Sequence, residues 1–170
     1  KATVSAAPYG CDMSAWVRVG NVPTVVFGPG DIEQAHAPDE WVSMTNTVKV
    51  ARTLVEATER LLACEITREQ LYKQLHEELP YDSAVRPEKY IQRPDGSVEI
   101  HQQIVVMRDN QRAIVLGKGG SRIKQIGQAA REELSELLGQ KVHLFLHVKT
   151  DERWSEDKEM FEEMGLEWTK

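Results

Sequence analysis

Residues Ile114 to Gly127 read IVLGKGGSRIKQIG, with Gly117, Gly119 and Gly120 crowding Lys118 between two apolar, helix-like runs. A glycine loop that opens a helix can cradle a nucleotide phosphate, clamp a nucleic-acid backbone or simply turn the chain. The phosphate loop of nucleotide hydrolases needs Gly, four residues and then Gly-Lys-Ser/Thr, because the hydroxyl binds magnesium while the lysine reaches the outer phosphates. Here Lys118 is followed by Gly119, the loop follows a helical pattern rather than a strand, and no Asn-Lys-x-Asp guanine-reading motif occurs in the chain. Nucleotide binding is therefore not expected. A clamp for single-stranded nucleic acid fits the residues better, since Gly117 and Gly120 allow a phosphodiester to approach the next helix's first amides without meeting a Cβ. Arg112, Gly117, Lys118, Gly119, Gly120, Arg122 and Lys124 are the candidate nucleic-acid-binding residues. From Gln111 to Lys149 there are seven basic residues against three acidic ones, a local balance of +4 in a chain whose net charge is −6. An acidic protein does not coat nucleic acid by charge alone, so any such site must be local.

The elements that would hold this loop are legible in the hydrophobic pattern. From Thr45 to Ala63, Val48, Ala51, Val55 and Leu62 recur at helical spacing, widened by Leu54 and Leu61. Thr67 and Gln70 have the spacing of a capping box, with Ile66 as a staple onto Leu71. The first helix is therefore predicted to stop near Ala63 and a second, with Thr67 as its N-cap, to follow a boundary near residues 63–66 and be stopped by Pro80. Beyond it Val98, Ile100, Ile104 and Val106 alternate after the turn Pro94-Asp95-Gly96-Ser97, which predicts a hairpin. The glycine loop joins two helices, the second running from about Ser121 to Leu138 and closed by Gly139 as a left-handed cap. Val142, Leu144, Leu146 and Val148 then alternate as a third strand, and an acidic tail helix follows. The fold class is α+β, a three-stranded sheet covered by helices. Ile114, Val115, Ile123 and Ile126 are expected mainly in its core, the alternative for some of them being the floor of a base-binding groove. His143 and His147 lie on one strand face about 13 Å apart at ~3.3 Å per residue, too far to share a metal.

Composition bounds the rest. The chain has 170 residues, 41% of them hydrophobic, enough for one good core or two small ones. Cys11 and Cys64 are too few for a disulfide framework or a cysteine-rich zinc site, which points to a cytoplasmic setting. No apolar run reaches membrane-spanning length. The absence of an initiator methionine at Lys1 reads as a fragment. In the first third, VPTVVFGPGDIEQAHAPDEWV is predicted to be a buried strand, Thr24 to Phe27, followed by a Gly-Pro-Gly turn and a loop carrying His36.

Two resemblances are added to this reading. The blocks EITREQLYKQLHEELPY, RPDGSVEIHQQIVVMRDNQRAIVLGKGGSRIKQIGQAAREEL and GQKVHLFLHVK, closing with MGLEW, resemble the C-terminal KH domain of the Era-type GTPases, in the type II order. The resemblance covers residues 64–170. It implies binding of single-stranded RNA, in particular small-subunit ribosomal RNA and through it the ribosomal small subunit, in ribosome assembly; the GTP-hydrolysing domain of that family has no counterpart in these residues. Residues 1–63 resemble the C-terminal piece of the zinc-dependent acetylornithine deacetylase, succinyl-diaminopimelate desuccinylase and carboxypeptidase family, an α/β fragment of a larger hydrolase domain. That resemblance makes His36 a metal ligand. One imidazole neither holds two zinc ions nor activates water, and the family's His-x-Asp motif does not occur here. No catalytic residue, no autonomous enzyme activity and no cofactor are therefore expected, with zinc conceivable only where His36 completes a site with other residues.

Overall fold

The structure is a computed structural model and describes residues 19–20, 26–31, 34, 38–75 and 83–154. The chain forms two compact units, Lys1–Thr53 and Leu54–Lys170. In the first, Val26 and Phe27 are in neither helix nor strand and are more than half exposed, so the buried strand expected over Thr24 to Phe27 does not extend to them. The physical reason is that no described strand of this unit offers them backbone partners, and a lone strand leaves its amides and carbonyls unpaired. His36 lies outside the described residues.

Helix α1 spans Met44–Gln74 without interruption, in place of the two helices expected to meet at residues 63–66. Ser43 starts it, its Oγ accepting the Asn46 amide at 3.3 Å. No glycine or proline interrupts the sequence from Met44 to Gln74, and the residues read as a capping box are used elsewhere. The Thr67 hydroxyl is buried and donates to Gln102 Oε1 at 2.6 Å, while Gln70 Nε2 donates to Glu133 Oε2 at 2.8 Å. Ile66 is buried rather than stapling a helix start. The stripe expected to be buried in the first half is largely exposed: Val48, Leu54, Val55 and Leu61 are each about half accessible. Burial along α1 begins at Ala63. Leu79 and Pro80 lie outside the described residues, and α1 ends ahead of them.

The hairpin forms as predicted. Strand β1, Ser83–Gln92, pairs antiparallel with β2, Val98–Val106, and the register shifts between Pro87 and Lys89. In the turn, Gly96 takes φ 80°, and Asp95 Oδ1 accepts from both the Ser97 amide and the Ser97 hydroxyl, which holds the Asp95 carboxyl below its usual range. Helix α2, Asp109–Leu116, and helix α3, Ser121–Leu138, flank the glycine loop. Gly139 closes α3 at φ 62°. Strand β3, Val142–Thr150, returns parallel to β2 and gives the sheet order β1-β2-β3.

The inner face of the sheet carries the core. Leu71, Leu75, Val85, Ile104, Val106, Val115, Ile126 and Val148 form one buried cluster; Ala63, Ile66, Val98, Ile100, Ala130, Leu134 and Val142 form a second. Each fully buried Leu or Ile contributes about 1.5–3 kcal/mol. Val115 and Ile126 are core as expected and Ile123 is partly so, but Ile114 is 47% exposed, because it sits on the α2 face away from Val115. Trp154 is buried with Ala84 and Val105. The acidic tail helix, with Phe161 and Met164, lies outside the described residues. No helix among the described residues is long and apolar enough to cross a membrane.

Gln102 is the one polar residue among the largest fully buried side chains besides Thr67, and Thr67 supplies its donor. Thr67→Val is expected to cost about 1–3 kcal/mol in urea unfolding, because the amide oxygen is then buried without a partner. Adding Gln102→Leu should recover much of that loss, since removing both partners of a buried hydrogen bond is far cheaper than removing one.

Candidate nucleic-acid interface

The loop between α2 and α3 is built by backbone that only glycine accepts readily. Gly117 takes φ 69°, ψ 175°, while its N–H still donates to Ala113 O at 2.9 Å. A Cβ placed there would stand 2.7 Å from Arg122 Cβ. Gly119 (φ 59°, ψ 26°) and Gly120 (φ 75°, ψ 18°) follow in the left-handed region, with open space around both. Lys118 is exposed at the loop tip. Gly120 is the N-cap of α3, and no side chain caps that helix, so its first-turn amides keep their capacity to bond an anion.

Beside the loop an open cleft of about 370 Å³ runs between α3 and β3. Ile123, Lys124, Gly127, Gln128 and Arg131 line it from the helix, and Leu144 and Leu146 from the strand. Helix and strand lie close at Gly127, where a Cβ would be in ordinary van der Waals contact with Leu146 Cδ1 at 3.4 Å. The cleft thus has an apolar floor and a polar, cationic rim. Among the described residues, Arg112, Lys118, Arg122, Lys124 and Arg131 form no ion pair.

The structure brings Gly117, Lys118, Gly119, Gly120, Arg122 and Lys124 together on the loop and the first turn of α3, and of these Lys124 also lines the cleft. Arg112 is exposed on α2 and does not line the cleft. Gly127, Gln128, Leu144 and Leu146 were not singled out as site residues in the sequence. Gly127 carried a readable signal, an isolated glycine within a helical pattern. The leucines carried none, since a core strand and a cleft floor share the same alternation. Among the described residues no three His, Cys, Asp or Glu side chains gather to hold a metal.

A helix, a hairpin, two helices hinged on a glycine loop and a third strand parallel to the second make this the fold of a KH domain, and the sequence profile of the KH domain matches residues 78–155. The relatives are particular. The chain is 76% identical over 135 residues to GTPase Era of Erythrobacter litoralis (strain HTCC2594), covering 79% of this chain and 40% of that protein. It is 55% identical over 109 residues to GTPase Era of Caulobacter vibrioides (strain NA1000 / CB15N), covering 64% of this chain and 34% of that one. The chain therefore spans about two fifths or less of the length of these curated relatives. Among solved structures it is similar to Era in complex with MgGDPNP and nucleotides 1506–1542 of 16S ribosomal RNA, at 37% identity and a TM-score of 0.58, covering 62% of this chain and 36% of that one. A crystal structure of Aquifex aeolicus Era bound to GDP.AlF4- is similar at a TM-score of 0.59, with 37% identity over 62% of this chain and 36% of that one. The Erythrobacter match covers more residues than 64–170 contain and so continues into the first 63, and none of these relatives is a zinc-dependent deacylase.

Placing the same residue at two loop glycines tests the geometry. Gly119→Asn should leave the melting temperature close to that of the unaltered protein, because asparagine tolerates the left-handed region and space is open there. Gly117→Asn should lower it by more than about 5 °C, since backbone strain of ~1–3 kcal/mol is joined by the collision with Arg122.

Proposed function

We propose that this chain binds single-stranded RNA, four nucleotides being held where the loop meets the cleft. The observation that carries the proposal is the junction itself: an uncapped helix N-terminus, a glycine loop tipped by Lys118 and a cleft rimmed by Lys124 and Arg131 are contiguous, and these cations have no carboxylate partner among the described residues. Phosphates would lie against Gly117 to Gly120 and the first amides of α3, with Arg122 and Lys124 neutralising them. Bases would lie on Ile123, Leu144 and Leu146, where the Gln128 amide and the Arg131 guanidinium can reach their edges.

The RNA proposed is small-subunit ribosomal RNA, and the wider role ribosome assembly on the small subunit in the cytoplasm. The similar Era structure that holds nucleotides 1506–1542 of 16S ribosomal RNA supports this choice. The RNA-binding domain is taken as residues 64–170, its type II order resting on the helix-strand-strand-helix-helix-strand succession. GTP hydrolysis is not part of the proposal.

Replacing Lys118 and Gly119 with aspartates tests it. Lys118 is exposed, and at Gly119 space is open and aspartate is among the side chains that tolerate left-handed backbone, so circular dichroism and melting should change little, whereas affinity for a labelled RNA of nucleotides 1506–1542 should fall at least tenfold in fluorescence anisotropy, with a shallower salt dependence. Equal affinity in the double variant would remove the clamp from the loop.

The second reading, a metallohydrolase remnant in which His36 completes a zinc site, rests on the VPTVVFGPG…AHAPDE run of residues 1–63. Its requirement is stoichiometric zinc in the purified protein that disappears in His36→Ala. The expected result is no stoichiometric zinc and no deacetylation of an N-acetylated amino acid.

A further inference from the structure

The strand that floors the cleft also presents an aromatic ring on its other side. Side chains alternate along a strand, so Leu144 and Leu146 face α3 while Phe145 between them faces outward. Phe145 is 49% exposed, unusual for the largest apolar side chain of its strand. Its ring is held in place: it stacks on His101, with centroids 4.7 Å apart and planes 18° off parallel. His101 is held in turn by Glu99, whose Oε1 lies 2.6 Å from Nε2, and Glu99 also accepts from Arg93. That paired surrounding keeps the Glu99 carboxyl below its usual range, through His101 first and Arg93 second. The platform is therefore preorganised, and the Glu99 carboxylate beside it is paired with Arg93.

We propose that RNA leaving the cleft passes over β3 and stacks a further unpaired base on Phe145; this rests on the RNA-binding reading above. β3 is the edge of the sheet, so the path from cleft to platform crosses backbone groups that no strand among the described residues pairs. Between Lys141 and Thr150 the strand carries Lys141, His143, His147 and Lys149 and no carboxylate. Of these, Lys149 pairs with Asp151 and His147 lies 3.4 Å from Glu88 Oε1, so what marks this surface is the ring itself: an exposed aromatic held in place next to a single-strand cleft matches the way proteins hold unpaired bases. A protein partner is the poorer match, because the large apolar side chains exposed on β1 and β3 are Phe145 and Ile91 alone, too small a patch for an apolar interface.

The test uses the full chain and the RNA of nucleotides 1506–1542, together with probes shortened stepwise from each end, read by fluorescence anisotropy. Phe145→Leu keeps apolar bulk without an aromatic face, and it should weaken the longest probe about tenfold. Phe145→Trp should bind it at least as well as the unaltered protein. The difference between Leu and Phe should vanish once shortening removes the stacked nucleotide, while the Lys118/Gly119 aspartate variant loses every probe. Unchanged affinity of Phe145→Leu across the series would overturn the platform without touching the clamp, and that is also the outcome expected of a protein-docking face. Uniform weakening for all probes with a lowered melting temperature would overturn it too, by showing a packing role. Should the unaltered protein bind no probe, the RNA-binding reading fails and the platform falls with it.

Discussion

There is no room for a side chain at Gly117, and the rest of the site depends on that exclusion. Because the Gly117 Cα stands where a Cβ would meet Arg122, α2 can hand over to α3 within a three-residue turn. α3 then lies with Ile126, Ala130 and Leu134 buried in the core. The same helix necessarily turns Ile123, Lys124, Gly127, Gln128 and Arg131 along its flank, toward β3. Loop and cleft are therefore one construction. A wider turn would tilt α3 off the sheet and open the floor formed by Leu144 and Leu146.

The parallel return of β3 is the second half of that construction. Its register sets Leu144 against Ile100 and Leu146 against Gln102, so the strand that completes the core also completes the cleft. Beneath Gln102 the interior is polar but satisfied: Thr67 donates to its oxygen, and its amide nitrogen lies 3.7 Å from Cys64 Sγ. Burial pushes the Cys64 thiol up to about 12, with Glu65 adding to the effect, so the thiol stays protonated at physiological pH. A protonated, buried thiol is a core residue and not a nucleophile. The interior thus holds polar groups for packing and register, and leaves exposed chemistry to the loop, the cleft and the outer strand face.

What could be read from the sequence was whatever is local. The glycine loop, the Asp95-Gly96 turn, the Gly139 cap and the alternation of β2 and β3 each depend on residues within a few positions, and each stands where it was expected. The supposed break in α1 failed for the opposite reason. Thr67 and Gln70 have capping-box spacing, yet their partners are Gln102 and Glu133, 35 and 63 residues away, and no local pattern reveals a preference decided by tertiary contacts. The same limit hid the cleft. Leu144 and Leu146 alternate just as Val142 and Val148 do, and what they face is set by where α3 lies and not by their neighbours in the sequence.

The charges along α3 are arranged against the helix's own field. A helix favours carboxylates in its first turn and cations in its last, each worth about 0.3–1 kcal/mol. In α3 the order is reversed: Lys118, Arg122 and Lys124 gather at the amino end, the first turn holds no acid, and Glu132, Glu133 and Glu136 come in the later turns. Glu133 is engaged by Gln70 and Glu132 by Gln128, so part of the acidic half has local partners, whereas the basic half has no ion pair among the described residues. An isolated helix gains nothing from such an order. A phosphate against the loop would reverse the sign of both effects, since it meets the dipole's positive end and the clustered cations together. The cost paid in the free protein is thus the form in which affinity for an anionic chain can be stored, and it accounts for a basic site within an acidic chain without requiring a basic surface elsewhere.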